Sequence, residues 1–420
     1  MKVFKFGGAS VNSVERIINL ADILRKFPHG KILVIISAMG KTTNALEKVT
    51  DAFWNEKIEE ALKLFEQVKQ QHITTAKYLL VTHYLACEGK LKNFFTEVEW
   101  LLHDKPVRSY DYYYDQVACA GELFSTAIVS AYLNETGIAN KWIDVRDIIR
   151  TDDDFRDATI DWDVTSSKVL SSVVPEFNSC NIVLTQGFIG ATDENESTTL
   201  GKEGSDYTAA VFANMLDVES LTIWKDVEAV MNADPKQFLD VKPIAKLNYN
   251  EVIEMAYYGA QVIHPKTIKP LQNKDIPLYV KCFLNSALPG TIIHNMPVHH
   301  LPPIIVLKEK QVMIEMSSKD FSFVGEQHIG HLYHLFEKLN IKPNLTQNGA
   351  ISFLCVLDEW NEKNEKLASG AAEFLDVKLV KGLSLLTIRH YNKELFEKLT
   401  NGKKILLRQQ TPETIQVLIQ

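Results

Sequence analysis

Hydrophobic and polar positions change period repeatedly along this chain, and the changes mark its elements. Met1 to Phe6 alternates and is β-rich, whereas Val14, Ile17, Ile18, Ala21 and Leu24 recur at helical spacing through Lys26. Lys31 to Ser37 is an almost unbroken apolar strand, the pattern of a parallel sheet covered on both faces. Lys41 to about Leu102 is mostly helical, with few breakers, and Gln116 to Tyr132 predicts a helix carrying Glu122. Strands follow at Asn140 to Val145 and Cys180 to Gln186, then a polar hairpin or loop from Ala191 to Leu200. Gly201 to Asp206 opens a helix running through Met215, Ser220 to Trp224 is a strand, Asn250 to Tyr258 a helix and Leu278 to Cys282 a strand. Such alternation predicts a doubly wound α/β domain that binds ligands at the carboxyl ends of its strands.

The texture changes at Pro289 to Pro303, where Pro289, Pro297, Pro302 and Pro303 cluster with Gly290, His299 and His300, and a domain boundary is expected there. Beyond it the pattern predicts strand Val312 to Met316, helix Glu326 to Leu339 and strands Asn344 to Gln347 and Ile351 to Leu357. Helix Asn361 to Phe374 and strand Val377 to Leu379 complete one βαββαβ, ferredoxin-like unit. A second unit begins with strand Ser384 to Arg389, helix Lys393 to Leu399 and strands Lys404 to Gln409 and Thr414 to Ile419. It lacks its closing helix and strand: Ile304 to Leu307 is a candidate for the strand, and no segment offers the helix.

Composition narrows the function classes. At 420 residues and 46% hydrophobic, the chain can bury a large core in two or three domains. Its 45 basic and 53 acidic residues give a net charge of −8 with no Lys/Arg-rich run, which argues against a nucleic-acid partner. Five scattered cysteines without a Cys-x-x-Cys pair read as buried thiols in a reducing compartment. The chain opens directly on a strand, and no apolar run approaches the roughly 20 residues of a membrane span. A cytoplasmic protein with no membrane partner is therefore expected.

Chemistry-bearing turns line up at predicted strand ends. In Lys5-Phe6-Gly7-Gly8-Ala9-Ser10, bare glycine amides, a helix start and a full positive charge can together face an anion such as phosphate. Taken alone, the same run also fits a tight strand-helix turn with a solvated lysine. Ser37 to Asn44, Gly201 to Thr208, and Lys225-Asp226 with Asn232 to Lys236 add hydroxyls, cations and acids able to hold Mg²⁺ through water. Glu122 offers a carboxylate for an ammonium group. Gly40-Lys41-Thr42 imitates the end of a Walker A loop, but Ile35 stands where that motif needs a glycine.

These motifs together resemble the aspartokinases, a branch of the amino-acid-kinase family with C-terminal ACT modules. The carriers are Lys5 to Ser10, Ser37 to Gly40, Gly121-Glu122-Leu123, Thr185 to Gly190, Thr198 to Gly201, Gly204 to Ala210 and Gly259 to Pro265, in the family's order. The resemblance implies a catalytic domain over 1–295 with an open, mainly parallel sheet sandwiched by helices. It also implies tandem α+β ferredoxin-like ACT modules over 304–420, the second shortened. The implied reaction moves the γ-phosphoryl group of ATP, with Mg²⁺, to the β-carboxylate of L-aspartate, the first step toward lysine, threonine and methionine. Lys5 and Asp206 would be catalytic. Gly7, Gly8, Lys225, Asp226, Met231 and Lys236 would join Lys5 on the nucleotide, and Ser37, Thr43, Glu122, Lys202 and Ser205 would hold the amino acid. Asp206 is expected to orient Lys5, to cap its helix, or both.

Departures from the family pattern bear on selectivity. Ala9 replaces a usual threonine, and Lys202 stands where an arginine commonly clamps the substrate carboxylate, so the charge stays and the bidentate fork is lost. Glu203 replaces a common glycine and is expected to pair with Lys202. Lys225 replaces a threonine while Gln261 replaces a lysine, as if one positive charge had moved. ACT modules further imply a homodimer and an amino-acid effector, lysine or threonine, although Met316 to Phe323 matches the usual ligand loop poorly. His328, His331 and His334 fall on the flank of their helix and favour a pH-sensitive face or dimer contact over a metal site. Two rivals stay open: a related kinase acting on another carboxylate, and a catalytically inactive amino-acid sensor.

Overall fold

A computed structural model describes residues 1–260 and 262–420, which fall into two compact units. The first comprises Met1–Val230, Pro243–Ile253 and Gln261–Val298; the second comprises Met231–Lys242, Glu254–Ala260 and His299–Gln420. The division is therefore not the single cut near residue 300 that the proline cluster suggests, because two internal segments leave the first unit for the second. Gln261, singled out above for its missing charge, lies outside the described residues.

In the first unit the strands are β1 (Lys2–Phe6), β2 (Ile32–Ile36), β3 (Asn140–Trp142), β4 (Ile182–Gln186), β5 (Ile189–Ala191) and β6 (Ser197–Thr199). They continue with β7 (Ser220–Lys225), β8 (Lys246–Asn248), β9 (Leu278–Cys282) and β10 (Thr291–His294). Eight form one sheet in the order β3-β4-β2-β1-β7-β9-β10-β8, while β5 and β6 make a separate hairpin. All its pairings are parallel except β9 with β10. All five residues of β2 are buried, as its unbroken apolar run requires. Beside it, Phe6 of β1 stacks on Trp224 of β7 with centroids 5.9 Å apart and rings 2° from parallel. The two sequence-adjacent strands β1 and β2 are neighbours, but the chain reaches β7 on the far side of β1 only after β4. That reversal at β1 is where a crevice opens in such sheets.

The helices of this unit are α1 (Val14–Arg25), α2 (Thr42–Trp54), α3 (Ile58–Leu79), α4 (Tyr84–His103), α5 (Tyr110–Glu135), α6 (Trp162–Lys168), α7 (Gly204–Met215), α8 (Tyr249–Tyr258, whose second half, from Glu254, belongs to the second unit) and α9 (Pro265–Gln272). α5 corrects the expectation that nothing here is apolar enough to span a membrane. It passes by length and composition, yet 83% of its most apolar window is buried inside the protein. It is a core helix, buried all round, which is why no amphipathic stripe marks it.

The second unit contains β11 (Ile304–Ser318), α10 (Glu326–Lys338), β12 (Leu345–Asn348), β13 (Ser352–Asp358), α11 (Asn361–Ala372), β14 (Leu375–Arg389), α12 (Lys393–Thr400), β15 (Ile405–Gln410) and β16 (Thr414–Ile419). Its six strands form one antiparallel sheet, β12-β13-β11-β14-β16-β15. Ile304 to Leu307 does supply the missing strand of the second module, pairing with Arg389 to Leu386. It is not a separate strand, however: β11 and β14 each run for 15 residues through both modules. The charged run Lys308-Glu309-Lys310 hides this continuity, because it marks an irregularity in the pairing, with Lys310 at φ +53°, rather than an end.

The absent helix is also accounted for. Ala233, Phe238 and Val241, from the internal segment Met231–Lys242, pack on Ile305, Leu386, Ile388, Ile415 and Val417 alongside Leu395 and Phe396 of α12. Asn232 fixes that segment: its carbonyl accepts from the Ile305 N–H at 2.8 Å and its side-chain amide donates to Pro303 O at 2.9 Å. On α10, the rings of His328 and His331 pack against Phe374 at 6.0 and 5.8 Å.

Candidate active site

β1 delivers Lys5 and then breaks. Gly8–Val11 forms a 3-10 turn before α1 starts, so the free amides near Lys5 belong to that turn and not, as expected from the sequence, to the N-terminus of α1. A side chain at Gly8 would put its Cβ 2.7 Å from Ala38 O and 3.1 Å from Gly40 O, both backbone atoms of the loop after β2. The Gly40 N–H donates to Gly8 O at 3.0 Å, which locks the two loops together. Gly8→Ala should therefore cost about 1–3 kcal/mol of stability. A urea-unfolding midpoint equal to the parent's would contradict this close packing.

Asp206 lies in the first turn of α7, where the helix dipole favours a carboxylate. It does not cap the helix; that position is held by Glu203, in the left-handed region at φ +56°. Asp206 instead meets two cations: Lys5 Nζ lies 2.6 Å from Oδ1 and Lys225 Nζ 3.8 Å from Oδ2. Burial pushes the Asp206 carboxyl up, but Lys5 and Lys225 outweigh it and hold the group below its usual value. Lys225 also donates to Val262 O at 2.7 Å.

Glu122 is the reverse case. It stands inside α5, 2% exposed, with only the Ala38 N–H directed at it, and Oε2 has no hydrogen-bond partner. Burial drives its pKa up to about 8, against the pull of the Ala38 amide and of Lys5. Gly121 makes this placement feasible, because a Cβ there would meet Thr42, Ala38 and Leu46 at 3.1–3.2 Å, so α5 rides close against α2 and the loop after β2. A buried, unpaired carboxylate is costly unless a cation arrives.

One cavity of about 540 Å³ gathers these groups, a size suited to a small metabolite and part of a nucleotide. Lys5, Gly7, Gly8, Ser37, Thr43, Glu122, Lys202, Ser205, Asp206, Lys225 and Asp226 all line it. Met231 and Lys236 are not part of this gathering; they fall in the second unit's segment Met231–Lys242, where Lys236 N donates to Asp234 Oδ1 at 2.9 Å. Lys202 is exposed, and Glu203 does not pair with it: the Glu203 carboxylate accepts the His264 N–H at 3.0 Å.

Tyr114, Arg156 and Trp224 also face the cavity and carry no signal that a sequence reading could use, whereas Phe188 and Thr199, which line it too, lie inside the motif segments Thr185 to Gly190 and Thr198 to Gly201 without a role having been read for them. Arg156 and Phe188 have positive φ, +75° and +74°, without being glycine. Asp115, fully buried, accepts from the Thr199 N–H at 2.7 Å, the Thr199 hydroxyl at 2.7 Å and the Arg156 N–H at 3.0 Å. Chemically, the cavity offers the paired cations Lys5 and Lys225, with Lys202 and Arg156 also on its lining, and bare amides to an anion, and a waiting carboxylate to an ammonium group.

Comparison with known proteins identifies the family of the chain. The model of the amino acid kinase family matches residues 1–282. Aspartokinase 3, chloroplastic, of Arabidopsis thaliana is 33% identical over 85% of this chain, which spans 64% of that relative's length. Lysine-sensitive aspartokinase 3 of Escherichia coli is 28% identical, over 85% of this chain and 78% of its own. In fold, the chain is similar to E. coli aspartokinase III in complex with aspartate and ADP, with a TM-score of 0.83 at 24% identity, covering 100% of this chain and 96% of that one.

Proposed function

Because the chain belongs to the amino acid kinase family, we propose that it transfers the γ-phosphoryl group of ATP to the β-carboxylate of L-aspartate, giving 4-phospho-L-aspartate. The observation that carries this reading is one cavity holding both the Lys5–Asp206 ion pair and the buried carboxylate of Glu122, whose Oε2 has no hydrogen-bond partner. The first suits a phosphoryl group and the second the α-ammonium of an amino acid.

The reaction needs no general base, since the attacking carboxylate is already ionised at neutral pH. A carboxylate oxygen bonds to Pγ as the bond from Pγ to the bridging oxygen breaks and ADP leaves. The obstacle is repulsion between two anions, so catalysis rests on position and charge. Lys5, held by Asp206, supplies the cation at the transferring group, and the amides of Gly7 and Gly8 donate to its oxygens. Among the described residues no group of three or more His, Cys, Asp or Glu could cage a metal. A magnesium ion would arrive on the nucleotide phosphates, with Asp226 available at the rim. When bound, the ion neutralises phosphate charge. Ser37, Thr43 and Ser205 would orient the amino acid, and Lys225 and Asp226 the nucleotide.

Purified protein given MgATP, L-aspartate and hydroxylamine should accumulate aspartyl hydroxamate. Hydroxamate from glutamate or another carboxylate but not from aspartate would favour the related-kinase reading, for which exposed Lys202 and Ala9 leave room. No acyl phosphate from any of them would favour a sensor. Lys225→Thr should raise KM for ATP roughly fivefold to tenfold, by loss of one charge-assisted contact; an unchanged KM counts against Lys225 as a nucleotide ligand. For the C-terminal unit the same reading implies an amino-acid effector, lysine or threonine, and a homodimer. Inhibition of hydroxamate formation by either amino acid, and sedimentation as a dimer, test those two points.

A further inference from the structure

Resting on the reading above, we infer that Arg156 is the specificity-determining residue that grips the substrate carboxylate that is not phosphorylated. A φ of +75° in a non-glycine residue costs roughly 1–2 kcal/mol. The surrounding structure enforces this conformation through Asp115, whose Oδ2 accepts both the Arg156 N–H and the Thr199 N–H. Asp115 lies seven residues before Glu122 on α5, two turns away on one helix face. One face of one buried helix thus sets both the proposed ammonium seat and the backbone of Arg156.

The side chain is presented as a platform-mounted fork. Its guanidinium carbon sits 4.3 Å from the centroid of the Tyr114 ring, and Tyr114 lines the same cavity. Stacking of this kind leaves the planar N–H edge free for a carboxylate. The partners it has are weak: Asp111 at 3.3 Å and Glu47 at 3.4 Å, long contacts on a side chain 41% exposed. Exposed ion pairs of that kind contribute about 0–1 kcal/mol, too little to offset the backbone strain. A surface-bridge role therefore does not account for a strained arginine at the cavity wall, whereas ligand binding does. Lys202, the other cation nearby, is exposed and offers a point charge without a fork.

The test compares L-aspartate with its α-amide, which keeps the β-carboxylate and the ammonium group but lacks the second carboxylate. Arg156→Gly relieves the strained φ, so it should fold with an unchanged or higher Tm. It should raise KM for aspartate about tenfold to a hundredfold, the range for a charge-assisted bidentate pair, with kcat and KM for ATP within about twofold. KM for the α-amide should move less than about threefold. Arg156→Lys should recover part of the loss, and Lys202→Ala should cost less than Arg156→Gly. An aspartate KM unchanged in Arg156→Gly, or equal losses for aspartate and amide, overturns the inference while leaving the kinase reading intact. A wild-type protein that makes no acyl phosphate from aspartate overturns both, and that arm is read before any variant.

Discussion

Lys5→Ala should lower kcat for acyl-phosphate formation by at least about a thousandfold, while the hydroxamate assay still detects the parent enzyme at full rate. Removing a single neutral donor from a preorganised anion site costs about 10²–10³ in rate, and Lys5 contributes a full charge from a side chain only 10% exposed. The same change leaves Asp206 buried with Lys225 alone, at 3.8 Å. Breaking one side of a buried pair costs about 3–5 kcal/mol, so the variant should also melt earlier. Rate and stability can be separated: Lys5→Met combined with Asp206→Asn should regain stability and remain inactive. Acid supplies a second check. Asp206 has a folded-state pKa below its ordinary value, so the stability it gives is present at neutral pH and drains away as pH falls below about 4. A Lys5→Ala variant that kept parental kcat would remove the ion pair from the mechanism altogether.

Aspartate binding near pH 7 should expel close to one proton. Glu122 holds its proton up to about pH 8 in the free protein, whereas a substrate ammonium needs the carboxylate ionised. The folded pKa is raised, so between about 4.5 and 8 the native state binds a proton that the unfolded chain has released. Stability of the free protein therefore falls as pH rises through that window, by at most about 1.4 kcal/mol per unit. Affinity for aspartate should rise across the same window and level off above it. Titration calorimetry in phosphate and in Tris at pH 7 would expose the proton as a buffer-dependent heat, absent at pH 9. Glu122→Gln should abolish the buffer dependence, weaken aspartate about tenfold to a hundredfold, and raise Tm at pH 8 and above. Identical heats in both buffers at pH 7 would mean that Glu122 does not meet the ammonium group.

The features that could be read from the sequence were those whose cause is local. β1 and the turn at Gly7 and Gly8 announce themselves because apolar period, glycines and a lysine lie within ten residues, and β2 because its apolar run is unbroken. Lys5 and Asp206 could be named before their 2.6 Å contact was seen, since each sits at a strand or helix end. Where the cause is a distant neighbour, the reading stops. Helix α5 shows no stripe because every face is covered, so the isolation of Glu122 is invisible until Gly121 is seen against Thr42 and Ala38. The continuity of β11 is hidden by three charged residues at its irregular midpoint. Short β8 and β10, and α9 with Pro270 inside it, give too few periodic positions to register. Arg156 is fixed by Asp115 from forty-one positions away, and nothing around residue 156 betrays it.

Asp226 borders the reaction cavity, and five residues along the chain Met231 opens a stretch whose half-buried Phe238 and Val241 pack against the other unit's apolar core. That short leash is covalent, so it holds whatever else moves. Five peptide bonds therefore separate Asp226 at the cavity from the first residue of the segment that packs among Ile388 and Val417.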